Sequence, residues 1–132
     1  IKKTDVFWDE NYMIDGSKTE AGKNRIIPIH SRIKPLIERR LNNPTNYLIA
    51  SSRDMQFTYA SFKERWDKMT VKLDLDYLPY DCRHTCATRL DNAKANKICI
   101  KLILGHKIAD ITDGVYTHKN ITQLIETINL LA

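Results

Sequence analysis

Four polar side chains, Lys18, Arg83, His106 and Tyr116 in that order, are the parts needed to cut a phosphodiester without a metal. A phenol with an ordinary pKa of about 10 is a poor nucleophile at neutral pH. It works only where cations favour the phenolate and hold the target phosphate in line. Arg83 lies two residues after Asp81, an expected helix cap. There a guanidinium can grip two phosphate oxygens at once, and the helix N-terminus adds potential favourable to an anion. His106 follows Gly105, the expected end of another helix, so its imidazole sits at a chain reversal and is free to donate to a phosphate oxygen. Lys18 stands in an expected hairpin tip, from which an ammonium can reach a cleft and protonate a leaving alkoxide. Lys23 and Arg25 share that hairpin and compete for the same part. Each residue alone has an ordinary alternative: a core tyrosine, an arginine paired with Asp76 or Asp81, a histidine favoured by a helix dipole, a solvated turn lysine. Convergence is what would separate the two readings.

The elements that must position these residues are legible in outline. Thr4–Trp8 reads as a short strand. Tyr12–Ile14 and Arg25–Ile29 bracket a polar tip as a hairpin, with Pro28 marking an edge strand. Ser31 is the expected cap of a helix carrying Ile33, Leu36, Ile37 and Leu41 at helical spacing, with Pro35 tolerated in the first turn. Tyr47–Ala50 reads as a short extended piece. Thr58 is a second cap, Phe57 and Phe62 fit a hydrophobic staple, and Phe62, Trp66 and Met69 form one apolar stripe. Further helices are expected from about Asp81 to about Ala95 and from Lys97 to Leu104, the latter stopped by Gly105. Asp110 can cap a turn leading to Tyr116. Ile121, Leu124, Ile125, Ile128 and Leu131 mark a final helix, expected to pack within its own chain. The fold class expected is α+β and mainly helical, a small antiparallel sheet packed beside a helical bundle.

Composition bounds the rest. A chain of 132 residues with 42% hydrophobic content suits one domain with one core. No apolar run is long enough to span a bilayer, and Ile1–Asp5 has no signal-peptide stretch. A cytoplasmic, nucleoid-associated protein without membrane contact is expected. Because position 1 is Ile, the chain is expected to be a piece of a longer protein or a processed product. The net charge of +5 is compatible with a polyanionic partner, although acids are numerous too. Three cysteines, Cys82, Cys86 and Cys99, argue for free thiols in a reducing compartment. Cys82 and Cys86 share a helix face that His84 does not, so no zinc site is expected. All three read as small buried hydrophobes.

Taken jointly, the segments resemble the catalytic core of the tyrosine recombinases, the phage-integrase family. Asp81-Cys82-Arg83-His84-Thr85-Cys86-Ala87-Thr88-Arg89-Leu90 looks like the box around that family's second catalytic arginine. Leu104-Gly105-His106 lies 23 residues beyond Arg83 and is similar to its next box. Val115-Tyr116-Thr117-His118 follows at the spacing of the nucleophile segment, and Lys18-Thr19 with Arg25–Ile29 is similar to the β-hairpin that bears the family's lysine. The resemblance covers essentially the whole chain, 1–132, as one N-terminally truncated catalytic domain. Two departures stand out. Tyr80 occupies the position where the family commonly has a histidine; a phenol there can hydrogen-bond a phosphate or support Arg83 but cannot act as an imidazolium. The family's first catalytic arginine, upstream of the first strand, has no match in this sequence.

What the resemblance implies is site-specific DNA recombination or integration. Tyr116 would attack a phosphate of double-stranded DNA, form a 3′-phosphotyrosyl link and expel a 5′-hydroxyl, which later rejoins the strand. Lys18 would protonate the leaving oxygen, and Arg83 and His106 would hold the non-bridging oxygens. No cofactor or metal is needed. Lys23 and Lys107, with Lys119 less specifically, are candidates for DNA-phosphate contacts. The parent protein would act as a tetramer on DNA, and the free piece would be a monomer with little or no activity of its own. The alternatives are relaxation of DNA by type IB topoisomerase chemistry and a catalytically silent DNA-binding or assembly module.

Overall fold

The computed structural model describes residues 1–16, 23–51, 53–106 and 120–131. Lys18, Lys107, Asp110, Tyr116 and Lys119 lie outside them. Among the described residues three short strands, β1 (Val6–Phe7), β2 (Tyr12–Asp15) and β3 (Arg25–Pro28), form an antiparallel sheet in sequence order. Five helices accompany it: α1 (Lys34–Leu41), α2 (Tyr59–Lys72), α3 (Asp81–Asn92), α4 (Lys97–Leu104) and α5 (Ile121–Ile128). The architecture is therefore α+β and mainly helical, as the sequence implies.

The sheet is small because its neighbours claim its ends. The strand expected over Thr4–Trp8 shrinks to two residues, since Lys3–Asp5 wind into a 3-10 turn. The Lys3 ammonium leaves the sheet to bond the carbonyls of Leu41, at 2.8 Å, and Asn43 at the end of α1. Phe7 pairs with Tyr12 across β1 and β2, their rings stacked at 4.5 Å. β3 runs from Arg25 opposite Asp15 to Pro28 opposite Tyr12. It is an outer strand, so the N–H that Pro28 lacks leaves no ladder partner wanting.

β3 joins two packed regions because neighbouring strand residues face opposite sides. Ile27 packs with Met13, Ile29, Ile37 and Leu48, the core between the sheet and α1. Ile26 packs with Cys99, Ile103, Leu124 and Ile128, the core between α4 and α5. A third cluster, Leu90, Ala95, Ile100 and Leu104, fastens α3 to α4.

Local chemistry sets the helix ends, in places differently from expectation. Ser31 does not cap α1. His30 does the capping, its Nδ1 accepting from the Arg32 N–H at 3.0 Å and opening a 3-10 turn ahead of Lys34. That leaves Nε2–H of His30 to donate to the Leu131 carbonyl at 2.9 Å, while the Ser31 N–H donates to Asn129 Oδ1 at 2.9 Å. These two bonds hold the chain beyond α5, which ends at Ile128 rather than Leu131. Thr58 caps α2 as expected, accepting from the Ser61 N–H. Asn96 caps α4 by accepting from Ile98 and Cys99. α3 stops at Asn92, short of Ala95, because Lys94 turns left-handed and the Ala95 N–H reaches back to the Leu90 carbonyl at 3.0 Å. No helix among the described residues is long and apolar enough to cross a membrane.

Candidate active site

Arg83 projects from the first turn of α3 and is half-buried. Its helix begins at Asp81, so Asp81 is the first helical residue and not the cap. Its Oδ2 accepts from the Leu78 N–H at 2.7 Å and braces the preceding turn. Among the described residues no carboxylate reaches Arg83: the ion pairs lie elsewhere, and neither Asp76 nor Asp81 supplies one. A half-buried guanidinium without a carboxylate partner is available to an anion.

Tyr80 precedes Arg83 as the residue flanking α3. Its carbonyl accepts from the Arg83 N–H at 3.0 Å. Its exposed ring meets the His84 ring edge to face, with centroids 4.7 Å apart. Support from Tyr80 to the arginine thus runs through the backbone, while the phenol pairs with His84. One turn further, burial raises the pKa of the Cys86 thiol, opposed in part by the charge of Arg83. Cys82 is exposed, Cys86 half-buried and Cys99 buried, so the expectation of three buried thiols holds fully only for Cys99.

His106 emerges where α4 ends. Gly105 adopts φ +68°, ψ +38°, the left-handed conformation that glycine reaches without steric cost. The Gly105 N–H donates to the Leu102 carbonyl at 3.0 Å and the His106 N–H to the Lys101 carbonyl at 2.9 Å, the paired bonds of a Schellman turn. The His106 backbone is thereby fixed while its side chain stays exposed.

Arg25 ties these two places together. From the start of β3 its Nη1 donates to the Leu104 carbonyl at 2.9 Å, a contact between residues 79 apart in sequence. Its pKa is lowered first by burial and then by the charge of Arg83, with Asp15 opposing. Arg25 therefore lies against the Leu104–His106 corner and within electrostatic reach of Arg83. By sequence it is a rival to Lys18 for protonating a leaving group. With its guanidinium turned onto a backbone carbonyl, it is not placed as a free hairpin-tip donor. Its position on β3 carried no signal for a long-range contact; the one available hint was a glycine whose missing Cβ leaves room for a large neighbour. Lys23 is exposed on the turn before β3. Lys18, Lys107 and Tyr116 fall outside the described residues.

A short antiparallel hairpin strand lies against a helical body, with Arg83 in the first turn of one helix and a glycine-histidine corner at the end of the next. The chain belongs to the phage integrase family, whose model matches residues 1–123. It is 30% identical over 143 aligned residues to tyrosine recombinase XerA of Pyrococcus horikoshii, covering 99% of this chain and 48% of that protein. It is 27% identical over 120 residues to tyrosine recombinase XerS of Streptococcus agalactiae, covering 82% of this chain and 33% of that one. Among solved structures, the crystal structure of XerA recombinase superposes with a TM-score of 0.66 at 26% identity, over 96% of this chain and 48% of that one. The chain thus spans between a third and a half of the length of these relatives.

Proposed function

We propose that this chain carries the strand-cleaving chemistry of a site-specific recombinase acting on double-stranded DNA. Tyr116 gives its phenol proton to solvent, and the phenolate oxygen attacks a backbone phosphorus, forming a phosphotyrosine bond to the 3′ side as the bond to the 5′ oxygen breaks. Lys18 gives that oxygen its proton, so a neutral 5′-hydroxyl leaves. The same hydroxyl, or one from another strand, then attacks the phosphotyrosine and returns the phenol. Since one ester replaces another at each step, no external energy source is required. Arg83 and His106 hold the two non-bridging oxygens as charge builds on them. Removing one such donor typically costs about 100- to 1000-fold in rate.

The observation that carries this reading is the half-buried Arg83, to which no carboxylate among the described residues reaches. Lys23 and Lys107 contact flanking phosphates in this scheme. Tyr80, exposed at the start of α3, meets the DNA backbone through its hydroxyl in the same scheme. The working assembly is a tetramer on DNA in the cytoplasm.

The test is covalent capture. A nicked suicide DNA lets the cut 5′ fragment diffuse away and traps the phosphotyrosyl link. The full-length protein should form an adduct resistant to denaturant, and Tyr116→Phe should form none while binding DNA as before. An adduct that persists in Tyr116→Phe rejects the assignment. Plasmid relaxation without any recombination site would instead favour topoisomerase chemistry.

A further inference from the structure

A buried arginine nitrogen without a partner needs a reason. The Arg25 Nε is buried and has no hydrogen-bond partner among the described residues. The side chain nevertheless holds its place, because its other end is committed to the Leu104 carbonyl. That carbonyl lies at the end of α4, where no further turn of helix can supply a donor. The same side chain lies flat on Gly105. A Cβ built there would meet Arg25 Nη1 at 2.8 Å, closer than real Cβ atoms come, and Cδ at 3.0 Å, so Arg25 would have to shift off the turn. Gly105 thus answers two demands at once, the left-handed turn and the passage of Arg25.

We infer that Arg25 is a positioning residue for His106, clasping the Leu104 carbonyl and the bare face of Gly105 so that the reversal presents the imidazole in one orientation. The inference rests on the reading of His106 as a donor to the scissile phosphate. It deepens that reading, since a backbone clasp from β3 makes the hairpin and the histidine corner one rigid unit. A strand that moves Arg25 would move His106 with it.

The experiment uses the full-length protein and measures single-turnover cleavage of the nicked suicide DNA, DNA affinity and thermal melting. Arg25→Ala should slow cleavage by about 100-fold, the scale of a reacting group displaced by an ångström, with DNA affinity changed less than about threefold. Because both changes then remove one function, Arg25→Ala combined with His106→Ala should be no more than about threefold slower than His106→Ala alone. Arg25→Lys keeps a charge and one donor and should recover much of the rate. Losses that multiply in the double variant, or a loss expressed in affinity and not in rate, overturn the clasp. Histidine-ring NMR of the free protein gives a reading independent of turnover: the His106 signal should shift in Arg25→Ala while those of His30 and His84 stay. An unchanged His106 signal overturns the inference even if the wild type forms no adduct, an outcome that by itself would count only against the recombinase chemistry. If Arg25→Ala does not fold, Arg25→Gln takes its place with the same opposing outcomes.

Discussion

Helices α2 and α4 are both amphipathic in sequence, yet they meet different fates. α4 buries Cys99, Ile100, Ile103 and Leu104 among α3, α5 and β3. α2 carries its own stripe, but Phe62 is 38% and Met69 43% exposed. The Trp66 indole N–H reaches the Tyr77 carbonyl at 2.7 Å and ties the 73–80 loop across α2. Between α2 and α3 remains a groove of about 500 Å³ walled by Trp66, Met69, Leu75, Tyr77, Cys82 and Cys86. Periodicity says which face of a helix is apolar. It does not say whether a partner is there to cover it. The site follows the same division: Arg83, Gly105, His106 and Arg25 are all carried by the well-packed body, on α3, at the end of α4 and on β3.

The sharpest way to break this contrast is to damage the body. Leu90 is fully buried where α3 meets α4. Leu90→Ala should cost about 2–5 kcal/mol of unfolding free energy in urea titration, the range for a buried leucine whose cavity cannot collapse. It should also unfold α3 and the Gly105 corner together. A loss below about 1 kcal/mol would mean that the body is as loosely held as α2.

The helix caps give a finer comparison. Asn96 accepts from two N–H groups at the start of α4, and Thr58 from one at the start of α2. Either change to Ala removes a cap worth about 0.5–2 kcal/mol. In Asn96→Ala the loss should appear in global stability, since α4 opens only when the body does. In Thr58→Ala it should appear mainly as faster hydrogen exchange along α2, through openings that leave α3 to α5 protected. Equal effects of both caps on global unfolding would make α2 part of the same cooperative unit.

Much of this was legible in the residues. The helical spacing of Ile121, Leu124 and Ile128, the stop at Gly105 and the cap at Thr58 rest on local chemistry, and local chemistry is what a sequence carries. The elements that differed were decided at a distance. Thr4 and Asp5 left the sheet because Lys3 found carbonyls at the end of α1. Ser31 lost its capping part to His30, whose second nitrogen had a partner 101 residues away. Of the candidate site, Arg83 and His106 could be picked out by type and spacing. The part that Arg25 plays could not, because it depends on two residues 79 apart meeting.

The smallest effect tests the other side of the comparison. Val71 sits in the last turn of α2 and is 81% exposed. Val71→Ala removes two methyl groups that are mostly in water already, so little burial is lost. It also relieves a β-branched side chain of its restricted rotamer in a helix, which favours alanine by a few tenths of a kcal/mol, on the order of 0.5. The two terms oppose, and the net change should stay within about 0.5 kcal/mol of zero. A loss well above 1 kcal/mol would show that the outer face of α2 is covered in solution. If that loss grew with protein concentration, the cover would be a second copy of the chain, and the exposed side of α2 would have to be redrawn as an interface.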